Sequence, residues 1–200
     1  MSKTATSIGP SDNGRRMSLA EFDQTEGQEG YLYELGRGVV TVVDVPNRRH
    51  LAQVDAARLQ IDAYRLGHPG KIYSVAGGSD CKILLADLQT ERHPDLAVYM
   101  TAPSDEADLW RKWIPEIVIE VVSPGSEDRD YTQKREEYLA FGVTEYWILD
   151  ADRGELLVLR RSRGQWREEI IRPPNEHRTK LLPGFHFDCG DVFRAADAAR

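Results

Sequence analysis

The chain has 200 residues, enough for one domain with a sizeable core. Its composition, 40% hydrophobic and 30% charged, is ordinary for a globular protein, and no apolar run nears the roughly 20 residues of a membrane span. A formal charge of −7 argues against a general coating role on nucleic acid, which depends on Lys and Arg neutralising phosphates.

Residues 1–16 are polar and predict a disordered tail, without the apolar segment of a secretory signal. Ser18 with Glu21 three residues later is a capping box, the start of a short helix. Tyr31 to Leu35 and Val39 to Val43 predict two strands joined through Gly36 and Gly38. From His50 to about Leu66, the spacing of Leu51, Val54, Ala57, Leu59, Ile61 and Tyr64 predicts an amphipathic helix, ended by Gly67 and Pro69. Strands follow at Cys81 to Leu85, around Asp95, and from Pro115 to Val122, with a polar loop near Pro103 between the last two. Asp128 to Phe141 has Tyr131, Lys134, Tyr138 and Phe141 at helical spacing and stops at Gly142. Glu145 to Asp150 and Leu156 to Leu159 flank Asp152-Arg153-Gly154, a hairpin signal, and a further strand runs from about Trp166 to Ile171. The folded domain is expected over 17–193, with an Ala-rich tail at 194–200.

The informative residues are acids inside apolar strands. Asp95 in His93-Pro94-Asp95-Leu96-Ala97-Val98-Tyr99 and Glu120 in Ile117-Val118-Ile119-Glu120-Val121-Val122 stand in Val- and Ile-rich runs. A carboxylate there costs several kcal/mol unless it is paired or holds a metal. Carboxylates are hard oxygen ligands suited to Mg²⁺ or Mn²⁺. Lys134 lies one helix beyond Glu120, where an ammonium could orient a water and stabilise charge on a phosphate, and Glu34 is a further acid in a strand. Cys81 and Cys189 lie far apart with no CxxC spacing, which suits a reducing cytoplasm and neither a disulfide framework nor a zinc site. The bland assignments are also clear. Tyr138, Tyr146 and Trp147 suit the core better than base-stacking platforms, Asp130 a helix-start cap or dipole partner, His50 a helix-entry cap better than a ligand, and Ser123-Pro124 a strand end rather than a nucleophile, with no Ser–His pair standing out.

The linear pattern carries more. Pro94-Asp95 followed by Glu120-Val121-Val122 resembles the PD-(D/E)XK nuclease superfamily, with Val122 in the slot of the usual lysine. The stretch 115–150 resembles its Uma-type branch of restriction endonucleases. The matching residues are Glu120, Ser123 and Pro124, then Asp130, Lys134 and Tyr138, then Gly142, Glu145, Tyr146, Trp147 and Asp150. Tyr33-Glu34-Leu35, Arg49-His50 and Leu182-Pro183-Gly184-Phe185 extend the resemblance over about 18–193. Gly36-Arg37-Gly38 departs from the family's Asp-Gly pair at that point.

The resemblance implies a restriction-endonuclease-like α/β fold: a mixed central sheet flanked by helices, with an added hairpin. It also implies hydrolysis of DNA phosphodiester bonds with Mg²⁺ or Mn²⁺ held by Asp95, Glu120 and the carbonyl of Val121. Glu34 would be a further acid of the catalytic set and Lys134 the relocated lysine, with Lys82 on a neighbouring strand as the alternative substitute. A homodimer is expected for cutting two strands, with no role for a membrane. The alternative expectation is a catalytically idle module that keeps the fold for assembly.

Overall fold

The computed structural model describes residues 6–43, 46–104 and 107–200. In chain order its elements are β1 (Thr6–Ile8), α1 (Leu19–Phe22), β2 (Thr25–Gly27), β3 (Leu32–Gly36), β4 (Val39–Val43) and α2 (Arg48–Gly67). Then come β5 (Ser74–Ala76), β6 (Ile83–Leu85), β7 (Thr90–Arg92), β8 (Leu96–Tyr99), α3 (Leu109–Lys112) and β9 (Ile117–Val121). A π-helical turn, Arg129–Gln133, leads into α4 (Lys134–Phe141), followed by β10 (Glu145–Asp150), β11 (Glu155–Ser162), β12 (Gln165–Ile171) and α5 (Cys189–Ala198).

The central sheet has the order β12-β11-β10-β9-β8-β5, mixed because β9 and β10 run parallel while every other pair is antiparallel. The π turn and α4 make the crossover between the parallel strands. Alternation along β9 divides the core in two. Ile117, Ile119 and Val121 face the cluster that holds Ala57, Ile61 and Tyr64 of α2 and Val192 of α5. Val118 and Val122 face the opposite cluster, with Tyr138 of α4 and Tyr146 and Ile148 of β10. Glu120 shares the α4 side. A second, antiparallel sheet, β4-β3-β7-β6, stands beside the first and supplies one wall of the site.

The tails differ from expectation. Thr6–Ile8 pairs in parallel with β2 and buries Ile8, because Met17, Phe22 and Tyr33 form a small apolar cluster that receives it. Residues 1–5 of the expected tail lie outside the described residues. At the other end the Ala-rich segment continues α5, since Val192, Phe193 and Ala196 lie on one buried stripe. The α2 stripe also shifts. Leu51 and Leu59 are exposed, and the buried line runs through Gln53, Ala57, Ile61 and Tyr64. Carried back one turn, that line reaches His50. None of the helices among the described residues is long and apolar enough to cross a membrane.

Candidate active site

The register that pairs Leu96 with Ile119, carried one residue further, sets Asp95 across from Glu120. Directly opposed residues on antiparallel strands have Cβ atoms roughly 5 Å apart, so strand pairing alone brings the two acids together. Gly77 backs this arrangement: a Cβ there would strike the main-chain carbonyl of Asp95. Both acids line one cleft of about 400 Å³ together with Glu34, His50, His93, Val121, Ser123, Arg129, Asp130 and Lys134.

Lys134 enters this cleft from the first turn of α4. Its stripe mates are Glu137 and Tyr138, both fully buried, so the helix turns this face to the sheet. The ammonium lies 2.9 Å from Glu120 Oε2 and 3.1 Å from Asp130 Oδ1. Tyr138 donates its hydroxyl to the other oxygen of Glu120 at 2.5 Å. Asp130 is a buried member of the cluster rather than a cap. Besides pairing with Lys134, it accepts a 2.5 Å hydrogen bond from Ser126 Oγ.

Asp95 is held at both oxygens. Oδ2 accepts the main-chain N–H of Val121 at 2.8 Å, and Oδ1 lies 3.0 Å from His50 Nε2. The other ring nitrogen of His50 is 2.9 Å from Ser123 Oγ, so a Ser–His–Asp chain runs along the cleft. The helix cap expected of His50 is supplied instead by Asn47, whose side chain accepts the His50 N–H. Burial alone would lower the His50 imidazole, but the hydrogen bond and charge of Asp95, with Glu120 behind it, raise it.

Glu34 reaches the cleft from β3, but its oxygens accept from Arg92 at 3.1 Å and from the His93 N–H at 3.0 Å. Arg92 is completely buried and also forks onto Glu137, at 2.7 and 3.1 Å. Gly36 makes room for that guanidinium, since a Cβ there would collide with it. Lys82 sits outside the cleft, 3.4 Å from Glu91 and 3.8 Å from Asp23. Val122 packs in the α4-side apolar cluster and does not line the cleft.

The charge balance follows from these positions. Burial would lower the Lys134 ammonium, yet Asp130, Glu120, Glu34 and Asp95 together raise it, so it stays charged. Burial, joined by the charges of Asp95, Asp130 and Glu34, outweighs the pull of Lys134 and pushes the Glu120 carboxyl up to about 8. Lys134 and Arg129 are the Lys and Arg side chains that line the cleft with Glu34, Asp95, Glu120 and Asp130. Glu34 is the opposite case. Burial would raise it, but Lys134, Arg92, the His93 N–H and Arg129 outweigh burial and hold it at about 2.

The Glu34 shift has a sign in stability. A carboxyl with a lowered folded pKa stabilises the fold above its unfolded pKa of about 4.3, and that contribution is lost as pH falls towards 2. Thermal melts of the wild type should therefore lose Tm steeply between pH 4.5 and 2, while Glu34→Gln, less stable at neutral pH, should lose less over that span. Parallel curves would place the acid sensitivity elsewhere.

Fold and cleft together define a restriction-endonuclease-like α/β protein with an acid–lysine site at the ends of its central strands. The Uma2 family, described as "Putative restriction endonuclease", matches residues 19–190, and the chain belongs to it. Among solved structures, the chain is similar to a "putative nuclease belonging to DUF820" from Anabaena variabilis ATCC 29413. The two share 19% identity and a TM-score of 0.70, over 90% of this chain and 99% of that one. None of the curated proteins compared matches the chain.

Proposed function

We propose that the protein is a metal-dependent endonuclease that hydrolyses DNA phosphodiester bonds. The observation that carries this reading is the Lys134 ammonium, seated 2.9 Å from Glu120 in the cleft that Asp95 also lines. An acid pair opposed across two strands, with a buried lysine at its side, suits phosphodiester hydrolysis. Membership of the Uma2 family supports the same class.

The donor set fits Mg²⁺ or Mn²⁺. Among the described residues no three His, Cys, Asp or Glu side chains form a ready-made metal cluster. The proposed set instead uses two carboxylates, Asp95 and Glu120, with the main-chain carbonyl of Val121. A strand residue turns its N–H and C=O to the same edge, and the Val121 N–H already points at Asp95. Each carboxylate oxygen spends one lone pair on a protein partner and keeps another.

When bound, the cation would lower the pKa of a water and stabilise charge on the phosphate. The chain's own residues do the rest. Lys134 Nζ orients the attacking water and stabilises the charge that develops as an oxygen–phosphorus bond forms and the leaving oxygen departs. Tyr138 fixes the Glu120 carboxylate, and His50 and the Val121 N–H fix Asp95, so neither acid must reorganise. Cutting both strands of a duplex calls for two such sites, which a homodimer would supply.

A cation that binds only the folded protein must stabilise it. Millimolar Mg²⁺ or Mn²⁺ should raise the wild-type Tm by several degrees, corresponding to about 1–3 kcal/mol. The Asp95→Asn, Glu120→Gln double variant should show no such rise. Equal shifts in both proteins would put the cation elsewhere. The second reading, an idle module kept for assembly, draws on Val122, which leaves the usual lysine slot apolar. Hydrolysis of DNA separates the two.

A further inference from the structure

The cleft contains a second cation whose hydrogen-bonding groups are not committed. Arg129 lines it from the first residue of the π turn, with a side chain 22% exposed. Its Nε is buried without a hydrogen-bond partner. The carboxylate it faces, Glu34, is 4.0 Å away and already accepts from Arg92 and from the His93 N–H. Lys134, by contrast, is taken by Glu120 and Asp130.

The π turn explains why Arg129 is there. In an α-helix, residues five apart lie about 140° apart around the axis, so Arg129 would point away from Lys134. Here the N–H of Lys134 bonds to the carbonyl of Arg129, and the chain comes back over itself after five residues rather than four. Arg129, Asp130 and Lys134 thus all reach the same cleft, a placement that costs the regular helix its ordinary ladder.

From these observations we infer that Arg129 binds a phosphate of the nucleic-acid backbone in the cleft, giving a bidentate contact that holds the strand beside Asp95 and Glu120. A guanidinium with a free planar fork matches two oxygens of a phosphodiester, which a lysine ammonium cannot do. A solely structural Arg129, paired weakly with Glu34, would affect melting and leave DNA affinity alone. The inference rests on the nuclease reading of this cleft and adds a binding residue to it.

The test is fluorescence anisotropy of a labelled 20-base-pair duplex, with Ca²⁺ in place of Mg²⁺ to limit cleavage, titrated over a series of salt concentrations. Wild type is compared with Arg129→Gln, with Arg129→Lys, and with Arg163→Gln, which removes an exposed cation in the turn between β11 and β12. Removing one phosphate contact should lower the slope of log K against log salt by about 0.9. Arg129→Gln should therefore bind about tenfold more weakly with that smaller slope. Arg129→Lys should keep the slope but lose part of the affinity, and Arg163→Gln should behave as wild type. If wild type binds and Arg129→Gln matches it in affinity and slope, Arg129 is not a phosphate contact, whatever the standing of the nuclease reading. If wild type itself fails to bind the duplex, the nuclease reading falls, and this inference with it.

Discussion

Lys134→Gln should reduce DNA hydrolysis by about 10²–10⁴-fold, the range for losing a positioned proton-handling or charge-stabilising group. The variant removes the one ammonium shared by Glu120 and Asp130 and keeps a side chain of similar length. Its loss should fall on kcat and kcat/KM alike, because the interaction strengthens as charge develops. The fold should survive at saturating Mg²⁺, since the cation takes over part of the neutralisation. A second arm restores lysine to the slot it occupies in related nucleases: Val122→Lys combined with Lys134→Gln. Val122 shares the α4 side of β9 with Glu120, so some rescue is expected, limited by the apolar packing that Val122 leaves behind. Single-turnover rates on a labelled duplex check this, and an unchanged rate in Lys134→Gln would contradict the assigned role.

The largest stability effect is expected at Arg92. This guanidinium is fully buried and holds Glu137 with two hydrogen bonds and Glu34 with one. Arg92→Met would leave two buried carboxylates without the guanidinium that both of them bond, a change that costs about 3–5 kcal/mol. For a protein of this length that corresponds to a fall in Tm of roughly 6–20 °C. The triple variant Arg92→Met, Glu34→Gln, Glu137→Gln should recover much of the loss, because it removes the charges as well as their partner. Urea melts of the two variants supply the comparison. A cost under about 1 kcal/mol for Arg92→Met would mean that the network is hydrated rather than sealed.

What could be read in advance followed from local pattern. Acids in Val- and Ile-rich strands, a lysine on an otherwise core-facing stripe, and Asp152-Arg153-Gly154 between two apolar runs are statements about neighbours in sequence, and strands β8 to β11 with α4 appeared where those patterns lay. Glu120 and Val122 do share a side of β9, and the ammonium of Lys134 does lie at Glu120. The polar partners of the site were hidden because they come from far along the chain. His50 meets Asp95 across 45 residues and Ser123 across 73, and nothing within a few residues of any of them announces it. Arg92 ends the short strand Thr90–Arg92, and its role appears only where Glu34 and Glu137 close around it from 58 and 45 residues away. From sequence Asp130 reads as a cap, because that is the ordinary use of an acid at a helix start. The π turn redirects it inward, and helical periodicity of 3.6 residues cannot foresee a local change of period. The one available hint for His50 is its place at i−3 from Gln53 and i−7 from Ala57, on the stripe that α2 buries.

The most direct test is nicking of supercoiled plasmid by the full chain in Mg²⁺ or Mn²⁺, followed against Asp95→Asn. Asp95 is held by His50 and the Val121 N–H, so the amide preserves its shape while removing the charge that would draw the cation. Wild type should convert supercoiled to open-circular and linear DNA only with divalent cation, and Asp95→Asn should fall to the level of wild type in EDTA. Equal cleavage by both proteins, or none by folded wild type with either cation, would contradict the metal-dependent nuclease.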